Sequence, residues 1–193
     1  MKKAIFFLCL SVLLFSNSAI AQNLPSYLPS NGLVAWYPFN GNANDESGNG
    51  NNGVVNGATL TSDRFGNAGR AYGFDGNDWL EVMSNPNQNI GAGSFTLACW
   101  SLKSDNSDFG HLITRNYATA YQDFISSYTL RYQFGTAAVA GSGAVNSTNN
   151  GGCATDLLGD IATWKFILAV FDSISQEYRI YIDGQLQTSC FSM

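Results

Sequence analysis

Tyr128-Thr129-Leu130-Arg131-Tyr132-Gln133-Phe134 alternates apolar and polar residues without a break. In an extended chain successive side chains point to opposite faces, so Tyr128, Leu130, Tyr132 and Phe134 share one face and Thr129, Arg131 and Gln133 the other. The stretch predicts a half-solvated strand, and the sequence around it repeats the theme. Trp164 to Phe171 is apolar on both faces after Lys165, which predicts a central strand covered on both sides. Phe95 to Leu102 has a similar character. Tyr178 to Ile182 runs into Asp183-Gly184, a type I′ hairpin signal, and Gln185 begins the return strand. Leu33 to Tyr37 predicts the first strand, ended by Pro38, which has no amide to give a ladder. A long polar loop, Asn40 to Gly53, follows. No segment keeps a helical apolar period, and no long repeat is visible. Roughly eight or more short strands separated by Gly, Asn, Asp and Ser predict an all-β fold. Long connections favour an antiparallel two-sheet sandwich or jelly roll over a barrel of tight hairpins.

With 193 residues, 45% hydrophobic and only 12% charged, the chain has the length of one domain and enough apolar surface to fold. Fourteen acidic against nine basic side chains, a net charge of −5, argue against nucleic acid or an anionic membrane as partner. Residues 1–21 read as a secretory signal: basic Lys2 and Lys3, an apolar run from Ala4 to Leu14, and Ala19-Ile20-Ala21 before the cleavage point. The apolar run is too short to span a bilayer, so no membrane insertion is expected after cleavage. The organisation expected is therefore signal 1–21, a short linker 22–31, and one domain over 32–193, secreted or at the cell surface. Losing two lysines and no acid takes the exported chain to a net −7. Export removes Cys9 and leaves Cys99, Cys153 and Cys190 in a compartment that permits disulfides. Cys153, in a Gly/Asn loop, and Cys190, near the end, are the expected pair. Cys99, between Ala98 and Trp100, reads as a buried thiol.

Four stretches carry a resemblance. Gly32-Leu33-Val34-Ala35-Trp36-Tyr37-Pro38-Phe39-Asn40-Gly41 with the loop to Gly53, Gly69 to Val82, Ser94 to Trp100, and Trp164 to Asp172 followed by Tyr181-Ile182-Asp183-Gly184 stand in the order found in laminin-G-like jelly rolls of secreted bacterial proteins. Together they cover roughly residues 32 to 190, and the chain resembles that family. The resemblance implies a concanavalin-A-like sandwich, shared by lectins and some glycanases. Such domains continue for further strands after the Tyr-x-Asp-Gly hairpin, whereas here only Gln185 to Met193 remains, so the chain reads as truncated at its C-terminus.

Glycan cleavage needs two carboxylates facing one sugar ring. Glu46, Glu81 and Glu177 are scattered, the Glu-x-Asp-x-x-Glu strand of the glycanases with this fold is missing, and no nucleophile motif occurs. His111 stands without a Ser or Cys nucleophile nearby and reads as a structural hydrogen-bonder. The expectation is a non-enzymatic recognition module for a carbohydrate or an extracellular protein. A glycoside hydrolase, or an adhesion module of a larger surface protein, is the alternative. Two oxygen-rich loops suit calcium, a hard cation. One holds Asn42, Asn44, Asp45, Ser47 and Asn49, the other Asp75, Asn77 and Asp78, with Asp45 and Asp75 the chief expected ligands. Aromatic rings beside amides and carboxylates suit sugar stacking. Tyr117 and Tyr121 with Asn116 and Asp123, and Trp79 beside Asp78, are the candidates. Trp36, Trp100, Trp164, Phe166, Tyr178 and Tyr181, in predicted strands, are expected to fill the space between the sheets.

Overall fold

A computed structural model describes residues 24–90, 93–104, 109–115, 128–133, 136–141, 152–156 and 162–191. Their regular structure is β apart from one short 3-10 turn at Pro86–Gln88. The strands are β1 (Gly53–Asn56), β2 (Thr59–Thr61), β3 (Ala71–Gly73), β4 (Trp79–Val82), β5 (Phe95–Leu102), β6 (Phe109–Arg115), β7 (Tyr128–Gln133), β8 (Thr136–Gly141), β9 (Gly152–Asp156), β10 (Trp164–Asp172), β11 (Glu177–Ile182) and β12 (Gln185–Phe191). All pair antiparallel. The chain forms two compact units, one made of the described residues up to Thr61 with Ala68–Met83, the other of Ser62–Asn67 and the residues from Ser84 onward.

The second unit holds two four-stranded sheets, ordered β12-β11-β10-β5 and β6-β7-β8-β9. Phe95 and Leu97 of β5, Ile167, Ala169 and Phe171 of β10, and Tyr178, Ile180 and Ile182 of β11 meet Leu130 and Tyr132 of β7 in one buried cluster. Two sheets sharing one core make this an all-β sandwich. The alternation read in the sequence is realised on β7, where Leu130 and Tyr132 are buried and Tyr128 half-buried against Phe95, ring centroids 5.8 Å apart. Phe134 lies outside the described residues.

Strand β10 is central in its sheet, between β11 and β5, as its apolar run predicts. Its two faces nevertheless differ: Ile167, Ala169 and Phe171 are buried, while Phe166, Leu168 and Val170 on the other face are only half-buried. The register explains what becomes of Trp100. Ile167 pairs with Cys99 and Phe166 with Trp100, so Cys99 faces the core and Trp100 turns outward, 44% exposed, beside Phe166. The expectation that Trp100 fills the space between the sheets is therefore corrected, whereas Tyr178 does fill it and is fully buried.

The hairpin between β11 and β12 has the predicted geometry. Asp183 and Gly184 both adopt positive φ, 49° and 80°, as a type I′ turn requires. Asp183 also ties the turn to β10: its Oδ1 accepts the Phe166 amide at 2.9 Å, its own amide donates to the Phe166 carbonyl at 2.9 Å, and Lys165 Nζ lies 3.2 Å from Oδ2. Cys99 is free and packs against the core, where burial pushes its thiol up to about 12. Cys190 is disulfide-bonded. The Cys153 side chain lies outside the described residues, as do residues 1–21, read as the signal, and the Asn116, Tyr117, Tyr121 and Asp123 loop.

The first unit contains two ribbons, β1 with β4 and β2 with β3. Leu33 to Tyr37, expected as the first strand, is not one: residues 33–39 have no regular ladder. Its backbone groups find other partners, taken up below. Among the described residues no helix is long and apolar enough to cross a membrane.

Truncating the fully buried Ile180 to Ala should cost about 3 kcal/mol through lost transfer energy and an unfilled cavity. Leu186→Ala, at a side chain 53% exposed, should cost well under about 1 kcal/mol. Urea midpoints of the two variants check the contrast.

Candidate functional site

The loop after Leu33–Tyr37 is organised by a carboxylate. Asp45 is 9% exposed, and each of its oxygens accepts two hydrogen bonds. Oδ1 takes the amides of Trp36 at 3.0 Å and Ser47 at 2.9 Å, and Oδ2 takes the Ser47 hydroxyl at 2.9 Å and the Asn51 amide at 3.0 Å. The Asp45 amide donates to Asn52 Oδ1 at 2.9 Å. Burial raises the carboxyl pKa, but the Trp36, Ser47 and Asn51 donors outweigh it and hold the group below the usual carboxylate range. Neighbouring side chains and one backbone amide then serve the extended segment as a partner strand would. Asn51 Nδ2 donates to the Val34 carbonyl at 2.8 Å, Asn49 Nδ2 to that of Leu33 at 2.7 Å, and the Glu46 amide to that of Trp36 at 2.8 Å. Trp36, expected as sandwich filler, is thus an anchor of this loop through its backbone.

This geometry decides how the loop can meet a cation. Calcium asks for six to eight oxygens with open lone pairs. The lone pairs of Asp45 are taken by protein donors, and Asn42 Oδ1 accepts the Asn44 amide at 2.8 Å. The Asp45 oxygens are engaged by their own loop, which closes into a self-contained polar knot.

The second oxygen-rich loop joins β3 to β4. Asp75 donates its amide to Asp78 Oδ2 at 3.0 Å, and Asp75 Oδ1 accepts the Asn77 amide at 3.2 Å, closing the turn on itself with Gly76 at φ 108°. Asp78 packs against the bare Cα of Gly57, where a side chain would collide with its carboxylate. Among the described residues no three His, Cys, Asp or Glu side chains come together to hold a metal.

What this loop does present is aromatic. Phe74 and Trp79, at its two ends, are each 55% exposed. In the β1–β4 ribbon Asn56 pairs with Trp79 and Val54 with Glu81, so Trp79, Val54 and Glu81 share a face, and Val54 is 53% exposed on it. Trp79 was legible in the sequence as a candidate. Phe74 was not, although a large apolar residue enclosed by Gly73 and Asp75-Gly76 is a signal of a displayed ring. Of the three glutamates, two lie in the first unit and one in the second. Glu46 accepts from Asn40 Nδ2 at 3.3 Å, Glu81 is exposed on β4, and Glu177 in the second unit pairs with Arg179 at 2.8 Å. His111 on β6 has Nδ1 3.2 Å from Thr129 Oγ1, and burial, with the Arg131 charge opposite it, lowers its pKa.

No family model and no curated protein matches this chain.

Asp45→Ala should cost about 3 kcal/mol, because the Trp36 and Asn51 amides lose their acceptor in a buried setting. The depressed pKa makes this contribution full above the unfolded carboxylate range and lost as pH falls through the folded value. Acid unfolding followed at fixed urea should accordingly be less steep in Asp45→Asn than in the parent. Millimolar calcium should leave the Asp45→Asn melting shift unchanged.

Proposed function

We propose that this chain is a secreted, non-enzymatic recognition module with a laminin-G-like jelly-roll fold, which binds a carbohydrate or an extracellular protein through the Phe74–Trp79 edge of its first unit. The observation that carries the reading is the pair of rings, each 55% exposed, at the ends of an acid and amide turn locked by its own hydrogen bonds. Exposed Trp on an ordered ribbon loses little conformational freedom on binding, and Trp is over-represented among residues that dominate recognition energies. Asp75, Asn77, Asp78 and Glu81 supply hydrogen-bonding groups beside it, the combination that sugar hydroxyls or a polar protein rim require.

Export is supported by the disulfide of Cys190, since such bonds persist in oxidising compartments. We assign its partner as Cys153, because Cys99 is free and β9, which carries Cys153, packs beside β12. The binding step proposed here is formulated without calcium.

Trp79→Ala should weaken binding by about 2 kcal/mol, roughly thirtyfold in Kd, on whichever ligand a glycan array or an extracellular-protein panel identifies. Unchanged affinity in that variant, with the fold intact by circular dichroism, would remove this edge as the binding surface. Peptide mapping without reductant should recover Cys153 linked to Cys190.

A further inference from the structure

The second unit carries a different arrangement, which neither the Trp79 edge nor the core explains. The turn Ser62–Asn67 is knitted around Asp63: Oδ1 accepts the amides of Phe65 at 2.8 Å and Asn67 at 2.9 Å, Oδ2 accepts Asn67 Nδ2 at 3.1 Å, and the Asp63 amide donates to the Asn67 carbonyl at 3.0 Å. A turn held this way projects Arg64 and Phe65 from a fixed base. The Arg64 guanidinium carbon lies over two rings, 4.2 Å from the centroid of Phe65 and 4.3 Å from that of Trp100. Phe65 is 72% exposed and Trp100 44%. Stacking uses the faces of a guanidinium and leaves its N–H edge available. Among the described residues no side chain or carbonyl accepts a hydrogen bond from that edge, because the oxygens of the adjacent Asp63 serve its own turn.

We infer that Arg64, Phe65 and Trp100 form a subsite for a saccharide unit bearing one carboxylate. A planar guanidinium lying over two rings offers the fork that a carboxylate fits in two hydrogen bonds, and Phe65 offers apolar area to the C–H face of the sugar. Charge sets the limit to a single acid. The protein is net −5, so a polyanion meets long-range repulsion, while one guanidinium neutralises one carboxylate. An otherwise neutral oligosaccharide ending in an acidic sugar satisfies both conditions. The inference goes beyond the Trp79 reading and uses none of its residues.

The test compares an oligosaccharide ending in glucuronic acid with the same oligosaccharide ending in glucose, which differ only in carboxylate against hydroxymethyl. Titration calorimetry on the purified protein should give roughly tenfold tighter binding of the acid-ended ligand at low salt. Arg64→Gln should erase that preference and keep the binding of the glucose-ended ligand, and Phe65→Ala should weaken both. Trp79→Ala should leave the acid preference intact, so failure of the Trp79 edge and failure of this subsite are read separately. Equal binding of the two ligands, no binding of the acid-ended one at millimolar concentration, or an acid preference that survives Arg64→Gln overturns the assignment.

Discussion

An extended backbone must satisfy its amides and carbonyls, and in the first unit that demand falls on one carboxylate. Asp45 accepts four hydrogen bonds from Trp36, Ser47 and Asn51, and in doing so fixes the positions from which Asn49 and Asn51 reach back to the carbonyls of Leu33 and Val34. The segment is held in an extended path to which no strand among the described residues pairs. Small buried residues fill the remaining space: Ala43, Ala58 and Ala71 are below one tenth exposed, and Gly53 lies so close to Ala43 that an added Cβ would sit 3.1 Å from its carbonyl oxygen. Among the described residues the unit is thus held largely by polar groups, joined by the Tyr37–Phe39–Tyr72 ring contacts.

The second unit depends on periodicity, and periodicity is what a sequence displays best. Phe95–Leu102 was readable to the residue, and Tyr128, Tyr178 and Gln185 each fell within a residue of a strand start, because alternation over six or more residues has a single structural meaning. The Asp183-Gly184 turn was legible because only such residues tolerate two consecutive positive φ values. Faces were harder to assign than strands. Trp100 and Cys99 are both apolar, and only their pairing with Phe166 and Ile167 determines which of them points to solvent. That pairing is a long-range fact with no local signature.

The reading of Leu33 to Tyr37 failed for a related reason. Five apolar residues before a proline say that the chain is extended, but not what pairs with it, and side chains of the next loop took the ladder's part. The same competition governs the oxygen-rich loop. Asp and Asn clusters have one composition whether they bind ions or their own amides, and the difference lies in which lone pairs remain open. At Asp45 none do. The rings followed the same logic: Trp79 stands exposed beside its acidic neighbour, whereas Trp100, embedded in an apolar run, is turned outward by the register.

Cys99 gives the sheet an internal clock. A thiol whose proton is held to about 12 has almost no thiolate at neutral pH, and the thiolate is the species that attacks disulfides and alkylating reagents. Packed against the core by the pairing of β5 with β10, this thiol is held in its protonated form. Each excursion that opens that edge exposes a group of ordinary reactivity, so the rate of irreversible modification would count openings of the sheet rather than the chemistry of sulfur.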